Sequence, residues 1–189
     1  LPALDLVRDR LFIPVVYNCG GYERGETIDA LKDYVDIWLP DLKYESSDLS
    51  ARYSQAPFYF QTATKAISQM IRQTGAPKLR TIPGEAAPVM ERGVIIRHLV
   101  LPGQKEDSIR LMHWLADSLP QNSFYISLMS QYTPYEKNPQ FPELNRRITS
   151  YEYQKVVDAA LELGLTQGFM QEKSSAKEEY TPAFDLEGL

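Results

Sequence analysis

Apolar, β-branched runs alternate along this chain with stretches of helical periodicity, and that alternation restricts it to few architectures. The clearest run is Val94-Ile95-Ile96-Arg97-His98-Leu99-Val100-Leu101, closed by the turn pair Pro102-Gly103. Three more strands are expected: Phe12 to Tyr17, ending in Asn18-Cys19-Gly20-Gly21; Val35 to Lys43; and Phe124 to Tyr132. Between them the apolar spacing predicts helices at Leu4 to Leu11, Thr27 to Tyr34 with Thr27 as cap, Ser47 to Gln55 with Ser47 as cap, Gln61 to Thr74, Ser108 to Ser118, and Ser150 to Gly164. Residues 75–93 are rich in Pro and Gly and read as a long surface loop. Near-continuous apolar strands separated by helices imply an α/β fold with a parallel sheet under helical cover. A closed eight-stranded barrel takes roughly 250 residues, and this chain has 189. It is therefore either a small doubly wound sheet or part of a barrel.

Twenty Lys and Arg against 25 Asp and Glu leave a net charge of −5, so the dense cationic footprint that phosphate neutralisation needs is missing and nucleic acid is not an expected partner. No apolar run approaches the roughly 20 residues of a membrane helix. The single cysteine, Cys19, excludes an intrachain disulfide and any site built from cysteines alone, and fits a reducing, cytoplasmic compartment. The chain opens Leu1-Pro2-Ala3-Leu4, without an initiator Met or a leader-like progression. It also begins on a helix where a right-handed βαβ scheme expects a strand. The expectation is a truncated start, one folded unit over residues 1–173, and a loosely held tail over 174–189 in which Phe184 and Leu186 offer docking points.

In parallel α/β proteins the chemistry collects at the carboxyl ends of the strands. The two-residue period puts Val35, Ile37, Leu39, Asp41 and Lys43 on one face, so an acid and a base emerge together from an apolar run. They form either a strand-end ion pair or a carboxylate for ribose hydroxyls beside a cation for a carboxylate or phosphate. Arg97, in mid-strand, requires an anion, either Asp41 or a ligand. His98 points to the opposite face and reads as a hydrogen-bonded structural histidine. Cys19 reads as a buried thiol rather than a nucleophile, because no His lies near it in sequence. Gly20-Gly21 lacks the spacing of a phosphate-binding fingerprint and reads as a place of close backbone approach. Gln131 and Tyr132 bring an amide and a phenol to another strand end.

As a set, Tyr17-Asn18-Cys19-Gly20-Gly21-Tyr22, Val35-Asp36-Ile37-Trp38-Leu39-Pro40-Asp41-Leu42-Lys43-Tyr44, Arg97-His98-Leu99-Val100-Leu101-Pro102-Gly103 and Met129-Ser130-Gln131-Tyr132 resemble the carboxyl-terminal part of radical S-adenosylmethionine proteins of the pyruvate formate-lyase activating enzyme-like branch. The resemblance runs from Leu1 to about Gln171. It implies part of an incomplete (β/α)6 barrel in which a 4Fe-4S cluster and S-adenosylmethionine generate a deoxyadenosyl radical, used by activating enzymes on a glycyl radical partner such as pyruvate formate-lyase. It further implies that Asp41 and Lys43 match the family's Asp-x-Lys, which faces the S-adenosylmethionine, and that Arg97 matches the Arg opening the next strand. Asn18 and Gly20 fall near the Asn-Gly strand end. Tyr132 stands where those enzymes place a cofactor-contacting His, with Gln131 as its substitute.

The family's three-cysteine cluster motif and Gly-Gly-Glu segment would precede Leu1. The polypeptide alone is accordingly expected to be inactive and to self-associate through an unpaired sheet edge at Phe12 to Tyr17. Two rival readings remain: a non-catalytic α/β binding module, and an unrelated small enzyme using Asp41, Lys43 and Arg97 on an anionic metabolite.

Overall fold

The computed structural model describes residues 2–84, 87–134 and 136–170; the tail over 174–189, with Phe184 and Leu186, lies outside the described residues. Strands β1 (Val16–Cys19), β2 (Ile37–Pro40), β3 (Lys78–Arg80), β4 (Val89–Leu99), β5 (Tyr125–Met129) and β6 (Gly168–Met170) alternate with helices α1 (Pro2–Val7), α2 (Gly25–Leu31), α3 (Ser47–Ser54), α4 (Tyr59–Thr74), α5 (Lys105–Ser118) and α6 (Ser150–Glu162). The sheet order is β1-β2-β4-β5-β6, with every neighbour on that path parallel, and β3 lies antiparallel to β4. This is a mixed α/β fold of the partial β/α barrel type. Strand β1 is one edge of the sheet. Because Val15 and Cys19 give their carbonyls to β2, the backbone groups of Val16 and Asn18 point outward along that edge.

The two faces of the sheet differ. Trp38, Leu42, Val94, Ile96, His98, Val100, Ile126 and Leu128 are buried beneath the helices, where α4 contributes Ala63, Ala66, Ile67 and Met70. Their alternates Leu39, Ile95, Arg97, Leu99, Tyr125, Ser127 and Met129 are only half-buried, and Val16, Asn18 and Phe169 are exposed. Parallel sheets are normally covered on both faces. Among the described residues this one is open on the side that carries Asp41 and Arg97.

Four strands were expected and six are present among the described residues. Within residues 75–93, read as loop, Lys78–Arg80 folds back as β3 on a β4 that already begins at Val89, with Gly93 held at φ 140° where a Cβ would press on Pro77. All three β3 residues are exposed, so no burial pattern marked them. The caps differ too. Ser46, not Ser47, caps α3 by accepting from the Leu49 N–H, and α2 starts at Gly25 behind Arg24, with no side-chain cap from Thr27. The opening helix ends at Val7 and gives way to a 3-10 turn at Arg8–Arg10; it buries no residue. On α6, Leu161 faces outward while Tyr153, Val156 and Val157 are buried.

Candidate functional site

Past the carboxyl ends of β2, β4 and β5 lies a cavity of about 390 Å³ lined by Asp41, Lys43, Tyr44, Arg97, Leu99, Leu101, Met129, Gln131 and Tyr132. The structure thus brings together five of the residues singled out from sequence: Asp41, Lys43, Arg97, Gln131 and Tyr132. Asp41 and Arg97 face each other in an isolated parallel bridge, with Arg97 Nη2 2.6 Å from Asp41 Oδ1. The same guanidinium nitrogen donates to Asn18 Oδ1 at 2.6 Å. Lys43 Nζ stands 3.8 Å from Asp41 Oδ2, with its side chain 44% exposed. Asn18 therefore acts on the cavity through Arg97. Gly20 lies outside the lining, its carbonyl accepting from the Tyr59 hydroxyl. Tyr132 donates to the Leu144 carbonyl at 3.0 Å, and burial raises its pKa.

Two cations face one carboxylate among the lining residues, which leaves a positive charge in excess. Hydrogen bonding is incomplete as well. Among the described residues, Arg97 Nε is buried without an acceptor, and Asp41 Oδ1, though at contact distance from Arg97 Nη2, has no aligned donor. A buried guanidinium N–H with no acceptor is costly. Such a group, beside a solvent-reachable ammonium and a wall of Leu99, Leu101 and Met129, suits a ligand with an anionic end and an apolar or aromatic body.

The strand-end segment at residues 41–46 is held from behind by three buried side chains. His98 Nδ1 lies 2.7 Å from the Leu42 carbonyl, and its Nε2 lies 2.8 Å from Ser108 Oγ. Since a carbonyl only accepts, Nδ1 carries the proton and Ser108 donates to Nε2. Burial lowers the His98 pKa, which keeps that neutral tautomer. Asp107, 4% exposed, accepts from the Glu45 N–H at 3.0 Å and the Ser46 N–H at 2.9 Å, and Arg110 pairs with it at 2.8 Å. The Tyr59 hydroxyl accepts from the Lys43 N–H at 3.0 Å and lies 2.9 Å from the Asp41 carbonyl. His98 is structural, as expected. Tyr59 and Asp107 were missed, because a core tyrosine and an acid in the first turn of a helix look ordinary in sequence.

Close approach belongs to Gly21 rather than Gly20: a Cβ on Gly21 would collide with the Asp41 carbonyl, whereas one on Gly20 meets nothing. Cys19 is buried, and desolvation pushes its thiol up to about 11, so it is no nucleophile. Among the described residues no group of three His, Cys, Asp or Glu is placed to hold a metal ion, and no helix is long and apolar enough to cross a membrane.

No family model matches the chain. Over 149 residues it is 27% identical to an uncharacterized protein of Methanocaldococcus jannaschii, an alignment covering 78% of this chain and 38% of that protein. The chain thus spans well under half the length of that curated relative. Among solved structures, a domain of pyruvate-formate lyase-activating enzyme from Bacteroides vulgatus superposes with a TM-score of 0.54 at 17% identity, covering 79% of this chain and 75% of the domain. That likeness is one of fold.

Proposed function

We propose that this chain is the carboxyl-terminal portion of a radical S-adenosylmethionine protein and that its open-face cavity takes S-adenosylmethionine. The observation that carries the reading is the undersatisfied Asp41–Arg97 pair at a site with excess positive charge. Asp41 accepts from ribose hydroxyls. Lys43 and Arg97 meet the carboxylate of the methionine part, while Leu99, Leu101, Met129 and Tyr132 flank the remainder and Gln131 supplies an amide at the rim. Asn18 holds the Arg97 fork, and Gly20 follows the end of β1. The fold likeness to an activating-enzyme domain supports this class of protein.

S-adenosylmethionine fits these residues; a 4Fe-4S cluster does not. Its one cysteine is buried with a raised pKa, so this chain lacks the three thiolates that cluster ligation of this type requires. The cluster, the radical chemistry and a glycyl radical partner are assigned to the longer protein, in a reducing cytoplasm where thiolate ligands persist. The residues of this chain bind and orient, and the polypeptide alone forms no deoxyadenosine. Anaerobic iron and sulfide reconstitution is expected to give no cluster absorbance band; a band together with deoxyadenosine overturns this.

Binding is tested by calorimetric titration of the cluster-free chain with S-adenosylmethionine. Saturable binding that falls at least tenfold in both Asp41→Asn and Lys43→Ala is the expected result. Binding of simple anionic metabolites with no preference for the adenosyl compound would instead assign the site to a small-metabolite enzyme.

A further inference from the structure

The hydroxyl of Tyr59 sits where three backbone positions from two strand ends converge. It accepts from Lys43 N at 3.0 Å, and its proton lies between the carbonyl oxygens of Asp41 at 2.9 Å and Gly20 at 3.0 Å. Tyr59 is 3% exposed, so these bonds form away from competing water. Burial and the neighbouring Asp41 raise its pKa, keeping the phenol protonated and able to donate.

The surrounding backbone is built to deliver this ring. Tyr59 is the first residue of α4, and Phe58 before it adopts a left-handed φ of 55° with its phenyl 72% exposed. A bulky side chain in that conformation is strained, and such strain persists where the surroundings enforce it. On the other side Gly21, at φ 78°, lets β1 close onto the Asp41 carbonyl, and Tyr22 stacks over the Tyr59 ring at 5.9 Å while donating to the Pro57 carbonyl. Asp41 and Lys43, whose side chains enter the cavity, are thus two of the three residues whose backbone Tyr59 grips.

We infer that Tyr59 is a positioning residue for ligand binding: its hydroxyl fixes the backbone at Asp41 and Lys43 and thereby aims the Lys43 ammonium at the anionic end of the ligand. This rests on the reading of the cavity as an S-adenosylmethionine site. A residue that merely stabilised the fold would affect all ligands alike, whereas losing the Tyr59 hydroxyl frees the Lys43 N–H and leaves Asp41 held by its own N–H on the Cys19 carbonyl and by Arg97.

The test compares S-adenosylmethionine with 5'-methylthioadenosine, which shares the adenosine but has a neutral thioether sulfur and lacks the whole amino-acid end, its carboxylate included. The wild-type chain is expected to prefer S-adenosylmethionine by about tenfold, as one charge-assisted contact provides. Tyr59→Phe, which keeps the ring and its stacking, is expected to lose most of that preference while binding 5'-methylthioadenosine within about twofold of wild type. Retained preference in Tyr59→Phe overturns the role of Tyr59 and leaves the ligand reading standing; a wild-type chain that binds neither compound overturns both. A measurement on the unmodified chain covers a variant that does not fold: the Lys43 amide is expected to exchange slowly without ligand, and exchange at the rate of an open loop amide overturns the inference.

Discussion

Arg97 and His98 are consecutive on β4 and share a backbone environment, yet they differ in what surrounds their side chains. His98 points under the helices and satisfies both ring nitrogens, on Leu42 and Ser108. Arg97 points to the open face, donates to Asn18 and lies in ion-pair contact with Asp41 through one nitrogen, and has no acceptor for Nε among the described residues. On the covered face Trp38 Nε1 is an exception, buried without a partner among the described residues. His98 holds a strand end in place on the covered face, and on the open face Arg97 keeps bonding capacity that the described residues do not use.

Substitutions that respect this division are expected to separate stability from binding. The largest loss of stability is expected for Asp107→Ala, which strips the acceptor from two backbone N–H groups and one of the two carboxylates from Arg110; about 3 kcal/mol by urea unfolding is anticipated. A cost under about 1 kcal/mol would place residues 41–46 outside the cooperative core.

His98→Leu comes next, at about 2 kcal/mol for the orphaned Leu42 carbonyl and Ser108 hydroxyl. It carries a pH signature. Burial depresses the His98 pKa against the opposing influence of the Leu42 carbonyl, Asp107 and Asp41, so the unfolded chain takes up a proton that the folded chain resists. That contribution to stability is complete above the unfolded value near 6.5 and is lost as pH falls below it. Midpoints measured from pH 7.5 to 5 should decline in wild type and decline less in His98→Leu; parallel slopes would contradict the burial account.

Arg97→Met is expected to change stability by no more than about 1 kcal/mol, since its ion pair is partly solvated, while lowering S-adenosylmethionine binding by more than tenfold. A large stability loss with binding intact would erase the distinction between the faces. The smallest effect on stability is expected for Val16→Lys on the outward-facing edge of β1. There the readout is association: light scattering at high concentration should show self-association in wild type and a monomer in the variant, and a strictly monomeric wild type would refute pairing through this edge.

What was legible in the sequence follows the same division. The covered side writes itself in periodicity: Val94 and Ile96 on β4, Val100 just past it, and Ala63, Ile67, Met70 and Ile71 on α4 were readable because burial selects apolar residues at fixed spacing. Arg97 and the pair Asp41 and Lys43 were readable as polar interruptions of such runs. Strand β3 was not, because Lys78, Leu79 and Arg80 are all exposed and satisfy only their hydrogen-bonding side. Neither was β6, whose Gly168 is required because a side chain there would strike the Ile126 carbonyl. Tyr59 escaped notice because its role depends on three backbone groups brought together from 16 to 39 residues away.

Hydrogen–deuterium exchange of the cluster-free chain with and without saturating S-adenosylmethionine examines the open face most directly. Slowed exchange is expected at residues 41–46 and around Leu101 and Gln131, with the amides of α4 and α6 unchanged. Unchanged exchange around the Asp41–Arg97 cavity, or protection confined to the helical side, would contradict the assignment of this face to a ligand.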